Sequence, residues 1–185
     1  MIGRARAAGK PAKPATSPGK IEPPANTGPF ENAVTRHGPT VLRVCRALLG
    51  PGPDADDAWS ETFLAALRAW PDLAAGTNIE AWLVRVAGRK AIDITRARAR
   101  HAIPVGEVPE RPARTGAPED RTVWDAVAAL PDRQRLAVAY HYLGGLPHAE
   151  TAAVIGGTAD SVRRAAADGI KNLRSVYPQS SGVTP

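Results

Sequence analysis

Apolar residues recur at helical spacing along successive stretches of this 185-residue chain, and no stretch alternates apolar and polar residues as a strand would. Over residues 30–49, Phe30, Val34, Val41, Leu42, Val44, Cys45, Leu48 and Leu49 predict a helix or a helix pair, with Pro39 kinking it or opening its second half. Gly50-Pro51-Gly52-Pro53 ends it. Asp54 is placed to cap the next helix, whose first turns hold Asp56, Asp57 and Glu61 where the helix macrodipole favours negative charge. Trp59, Phe63, Leu64, Leu67 and Trp70 supply its apolar side, and Pro71 closes it. After a loop containing Gly76, with Thr77 or Asn78 as cap, a third helix runs from about residue 79 to 100. Ile79, Trp82, Leu83, Val86, Ala87, Ala91 and Ile94 face a core. Arg85, Arg89, Arg96 and Arg100 follow a second face, shared with Asp93 and widened by Lys90 and Arg98.

The pattern lapses over residues 101–121, where Pro104, Pro109, Pro112 and Pro118 predict a linker. It resumes with Val123, Trp124, Val127 and Leu130, breaks at Pro131, and continues through Leu136, Val138, Ala139, Tyr142 and Leu143. Residues 145–173 then read as two short helices about a glycine turn. Ala149, Ala152 and Ala153 are expected to face inward, small enough for a second helix to cross closely. Gly156-Gly157 ends the first helix and Thr158 offers an N-cap oxygen to the second. On that second helix Val162, Ala166, Ile170 and Leu173 form an apolar stripe, while Asp160, Arg164 and Lys171 project opposite it, flanked by Arg163 and Arg174. This is the pattern of a helix-turn-helix, whose second helix has the shape and charge to enter a DNA major groove. The competing reading is an ordinary helical hairpin with a solvated basic face.

The resulting fold class is all-α: two small helical domains, residues 29–100 and 122–176, joined by a flexible linker at 101–121. A basic, proline-rich tail over residues 1–28 reads as disordered, and residues 177–185 as a short loose tail. Scarce aromatics, 5% of residues, and abundant alanine and arginine favour helices over sheets. A formal net charge of +6 suits a polyanionic partner, with nucleic acid the leading candidate. Cys45 is the only cysteine, lies in an apolar run, and reads as a small core residue. No apolar stretch reaches the length of a membrane span and no hydrophobic segment for secretion opens the chain, so a cytoplasmic protein is expected. An enzyme built around His37, His101, His141 or His148 is disfavoured: none has a metal-like partner spacing, and no cofactor or metal is expected.

Three stretches carry a family resemblance. Asp54-Ala55-Asp56-Asp57-Ala58 followed by Glu61-Thr62-Phe63-Leu64 resembles the pattern DAEDxxQExF. Trp82-Leu83, Val86-Ala87, Asp93 and Arg96 resemble WLxxIARNxxxDxxR. Leu130-Pro131, Arg135, Gly145-Leu146, Glu150, Ala152 and Gly156 resemble LPxxxR…GLSxxEIAxxLG. In this order and spacing they are similar to a bacterial RNA polymerase sigma factor of the extracytoplasmic-function type, over residues 30–174. The resemblance implies an alternative sigma factor, with no catalytic side chain of its own, that binds core RNA polymerase and directs transcription from particular promoters. Asp56, Asp57 and Glu61 would face the clamp helices of the polymerase largest subunit, with the flap as a further contact. Thr77, Asn78, Trp82, Arg85, Arg89, Arg96 and Arg100 would melt and hold the −10 element, although capping competes for Thr77 and Asn78 and core packing for Trp82. Thr158, Asp160, Ser161, Arg163, Arg164 and Lys171 would read the −35 duplex. An anti-sigma factor is a further candidate partner. The sequence departs from the pattern at Gly88 and Arg89, which replace Arg and Asn, at Pro147, and at Ala165, Asp168 and Gly169, where the DNA-reading helix often carries basic residues or alanine. The alternative is a helix-turn-helix regulator that binds DNA without joining the polymerase.

Overall fold

A computed structural model describes residues 28–101 and 118–176; all but the last residue of the tail expected over residues 1–28, most of the linker and the tail at 177–185 lie outside that range. The described residues form seven α-helices: α1 (Phe30–Leu49), α2 (Pro53–Ala69), α3 (Ile79–His101), α4 (Pro118–Ala128), α5 (Asp132–Ala137), α6 (His148–Ile155) and α7 (Ala159–Val176). A 3₁₀ turn, Trp70–Asp72, follows α2, and a widened π-helical stretch, Val138–Leu143, continues α5.

Breakers and caps place these boundaries. Pro39 lies inside α1, which stays one continuous helix, and Gly50 ends it at φ 82° with its N–H donating to Arg46 O at 2.9 Å. Pro53 takes the first position of α2, behind Gly52. Asp54 therefore does not cap that helix: it already lies inside the first turn, and its carboxylate pairs with Arg98 of α3. Asn78 does cap α3, its Oδ1 accepting from the Ala81 N–H at 3.1 Å. Thr77 instead donates to Ala74 O at 2.7 Å. α4 begins at Pro118, so the last residues of the expected linker are helical.

Helices α1–α3 enclose one core of Ala33, Val41, Cys45, Ala55, Ala58, Phe63, Ala66, Ile79, Leu83 and Ala87. Phe30, Trp59 and Trp70 close its rim by edge and tilted ring contacts, and Trp59 Nε1 donates to Gly38 O at 3.0 Å. The inner side of α2 is alanine-rich, and Leu64 and Leu67, expected inside, are 47% and 51% exposed. Phe63 fills the core in their place, since a helix of small residues can approach its neighbours closely.

In the second unit Ala137, Ala152, Val162 and Ala166 form a small core of α5–α7. Four consecutive buried residues, Ala137, Val138, Ala139 and Tyr140, show that this central helix is surrounded on all sides. Ala139 packs with Ala47 and Val127, while Tyr140 joins Val44, Ala81, Val84 and Leu146 in a cluster built from both halves of the chain. Tyr140 is thus the core tyrosine and Tyr142, expected inside, is 51% exposed. Gly144 N–H bonds Ala139 O, five residues back, and this wider turn shifts the inward positions away from 3.6-residue spacing. In α6, Thr151 and Ala152 are buried while Ala149 and Ala153 are exposed. Inward-facing Ile155 shares their side, and at about 100° per residue that side lies well away from the Ala149–Ala153 row.

Candidate nucleic-acid interface

The turn between α6 and α7 is set by Gly156 and Gly157, at φ 81° and 92°, values that residues with a Cβ rarely adopt. Thr158 and Ser161 lock the start of α7 reciprocally: the Ser161 N–H donates to Thr158 Oγ1 at 3.2 Å, and the Thr158 N–H donates to Ser161 Oγ at 3.1 Å. The Ser161 hydroxyl also donates to Thr158 O at 2.8 Å. Arg133 braces the same turn from α5, donating through Nη2 to Gly156 O and to Ser161 Oγ, each at 3.0 Å. A Cβ on Gly157 would stand 2.2 Å from that nitrogen. The Ser161 hydroxyl is therefore spent on the turn, which makes its contribution to the site one of positioning. Arg133 was not singled out by sequence; only a cation just after the Leu130-Pro131 break signals it.

Along α7, Val162, Ala166 and Gly169 are buried against α5 and α6. Gly169 faces the interior, because a Cβ there would meet Val138 Cγ2 at 2.7 Å, so its departure from the family pattern lies on the packed side of the helix. Asp160, Arg163, Arg164, Lys171 and Arg174 are exposed on the outer face. Arg163 pairs with Asp160 at 2.7 Å across a turn, and Arg164 Nε reaches Asp160 O at 3.4 Å. Beside this face the rings of His141 and His148 stack at 3.7 Å, and His141 Nδ1 lies 2.7 Å from Leu146 O. Partial desolvation, then His141 and Arg163, hold His148 below the ordinary histidine range.

A second surface lies on α2 and α3. Ala65, Ala69, Trp82 and Val86 floor a groove of about 400 Å³ between them, with Arg89, Lys90 and Asp93 at its edge. Trp82 is half-buried, its ring partly packed on the core and partly lining the groove. Arg89, Arg96 and Arg100 are exposed, whereas Arg85 pairs with Glu150 of α6, Lys90 with Glu61 at 3.2 Å and Arg98 with Asp54. Among the described residues, acids from neighbouring helices thus answer three of these six cations. The outer side of α2 presents Asp56, Asp57 and Glu61 together with the exposed Leu64 and Leu67. Two leucines left in solvent beside three acids suit a protein partner better than a polyanion.

The described histidine side chains lie in two places: His37 Nδ1 is 3.1 Å from Glu80 Oε2, between α1 and α3, and His141 stacks on His148 beside α7; the His101 side chain lies outside the described residues. No group of three or more metal-ligating side chains occurs among the described residues, and no described helix is long and apolar enough to cross a membrane.

Residues 33–101 match the family model for Sigma-70 region 2, and residues 120–173 that for Sigma-70, region 4. The ECF RNA polymerase sigma factor ShbA of Streptomyces griseus is 33% identical over 159 residues, 76% of this chain and 83% of its own. The ECF RNA polymerase sigma factor SigD of Mycobacterium tuberculosis is 32% identical over 150 residues, 74% of this chain and 71% of its own. The sigma factor RpoE of Bartonella quintana, solved in complex with the anti-sigma factor NepR, superimposes with a TM-score of 0.65 at 18% identity, covering 82% of this chain and 98% of that one.

Proposed function

The chain belongs to the extracytoplasmic-function sigma factors of RNA polymerase, and on that premise we propose how its surfaces divide the work of directing core polymerase to particular promoters. Its α7 face, with Arg163, Arg164 and Lys171 as cations and Thr158 and Asp160 at the leading turn, reads the −35 element as duplex. Arginines there position the helix on phosphates and compete for base edges in the major groove. The groove between α2 and α3 takes bases of the −10 element once they leave the stack. Trp82 offers a ring on which a base can stack, worth about 1–3 kcal/mol per base, against an unstacking cost of a few kcal/mol per step. Arg89, Arg96 and Arg100 hold the backbone, and Thr77 and Asn78 stand at the mouth of the α2–α3 loop. Asp56, Asp57, Glu61, Leu64 and Leu67 form the polymerase-facing side.

This protein supplies binding and selection, with no catalytic side chain of its own, and works in the cytoplasm, where polymerase and template meet. The observation that carries the reading is the open, apolar groove beside a basic helix in a chain that also presents a duplex-reading helix. A regulator that only occupies DNA has no use for that groove or for the acid-and-leucine face of α2. Run-off transcription with purified core enzyme, on a pool of promoter sequences, tests it: added protein should select a common start and a shared pair of elements. Transcription that stays as unselective as core enzyme alone would overturn it.

A further inference from the structure

Helix α3 is buried on two sides. Ile79, Leu83 and Ala87 face the core of α1–α3, while Ala81, Val84 and Gly88 turn toward the second unit. There Tyr140, 2% exposed, inserts against Val44, Ala81 and Val84, with Leu146 fully buried beside it. Two glycines, one on each side, make the approach possible. A Cβ on Gly88 would lie 2.0 Å from Tyr140 Oη, and one on Gly144 would lie 2.8 Å from Val84 Cγ1. At the rim Arg85 pairs with Glu150. Gly88 is one of the positions where the sequence departs from its family pattern, and any side chain there would occupy the place of the tyrosine ring.

We propose that the α4–α7 unit docks onto α1 and α3 through this tyrosine socket in the free protein, and that the docked form must open before both promoter elements can be held. The inference rests on the division of surfaces given above. Elements centred 10 and 35 base pairs before the start site lie about 25 base pairs apart, roughly 85 Å of B-form duplex. In the docked form α6 meets α3 through the Arg85–Glu150 pair and α7 packs on α6, so the two DNA-binding helices stand within about three helix spacings, on the order of 30 Å. No single straight promoter fits both. Docking also engages Arg85, which the family resemblance places on the −10 element, with Glu150 of the helix-turn-helix. The 16 residues 102–117 reach up to about 55 Å when extended, so the tether permits separation. Polymerase and promoter then bind the open form selectively, and the closed fraction lowers apparent affinity in proportion to its population.

Gly88→Leu in the full-length chain tests the socket, since the new side chain blocks the tyrosine while favouring the helix it sits in. Small-angle scattering of the free protein should show a compact particle for wild type and an extended one for Gly88→Leu, with helix content by circular dichroism unchanged. Core polymerase should bind the variant at least about threefold more tightly. Glu150→Arg, a surface change that cannot empty a core, should expand the particle in the same direction and covers the case in which Gly88→Leu loses helix content. Scattering curves of either folded variant that superimpose on wild type overturn the docking. If wild type is compact and Gly88→Leu extended but neither binds core enzyme, docking stands and the sigma reading fails.

Discussion

Arg164 is exposed on α7 and donates to the backbone oxygen of Asp160 in the same helix, so its truncation removes a DNA contact without leaving a buried group unpaired. Arg164→Ala should lower promoter-selective run-off transcription, leave core-enzyme binding intact, and, if it meets a phosphate, reduce the salt slope of −35 duplex binding by about one. Cys45 presents the opposite case. It is fully buried, and desolvation pushes its thiol up to about 12, with a smaller contribution from the Asp56 charge and an opposing backbone hydrogen bond. The folded state therefore keeps a proton that the unfolded chain releases from about pH 9. The resulting stability is complete below pH 9 and is lost as pH rises toward 12, by up to about 1.4 kcal/mol per pH unit. Cys45→Ala should flatten that alkaline loss between pH 9 and 10, before Tyr140, also raised to about 12 by burial, begins to matter; denaturant titrations at successive pH values would check it.

Helix α7 is anchored by small residues as much as by large ones. Gly169→Ala gains about 1 kcal/mol of helix propensity but drives a methyl group into Val138, a stiff β-branched neighbour, at a cost of about 1–3 kcal/mol. A net loss of stability is expected in chemical denaturation, whereas Asp168→Ala, one exposed position away, should not destabilise. For α2 the chemistry is on the outside. Reversing Asp56, Asp57 and Glu61 to lysine should weaken core-enzyme association while sparing binding of the −35 duplex, measured separately on the same preparations; unchanged association would reject the polymerase assignment of that face. Most helices were legible from periodicity and breakers: α3 starts at residue 79 as expected, because Asn78 caps it, and its regular apolar row carries it to residue 101, one beyond the expected end. Periodicity misread α2 because it ranks large apolar residues above alanine, and it misread the helix after Pro131 because a widened turn replaces Tyr142 by Tyr140 at the inward position.

At the scale of the whole molecule the two helical units share the cluster of Val44, Ala81, Val84, Tyr140 and Leu146, so they should unfold together. Thermal unfolding of wild type is expected as one transition, and Gly88→Leu, which separates the units, should split it into two; calorimetry distinguishes them. What the chain determined alone is its helical alphabet, the glycine turn and N-cap before α7, and the order of motifs that marks the family, because these rest on local spacing, capping and backbone freedom. The packing decided what local rules do not contain: that Asp54 pairs with Arg98, that Arg133 braces the turn through Gly156 O and the Ser161 hydroxyl, and that Tyr140 fills a gap made by a glycine 52 positions earlier. Each of those joins residues from different helices, and side chains meet across helices only where the packed backbones bring them.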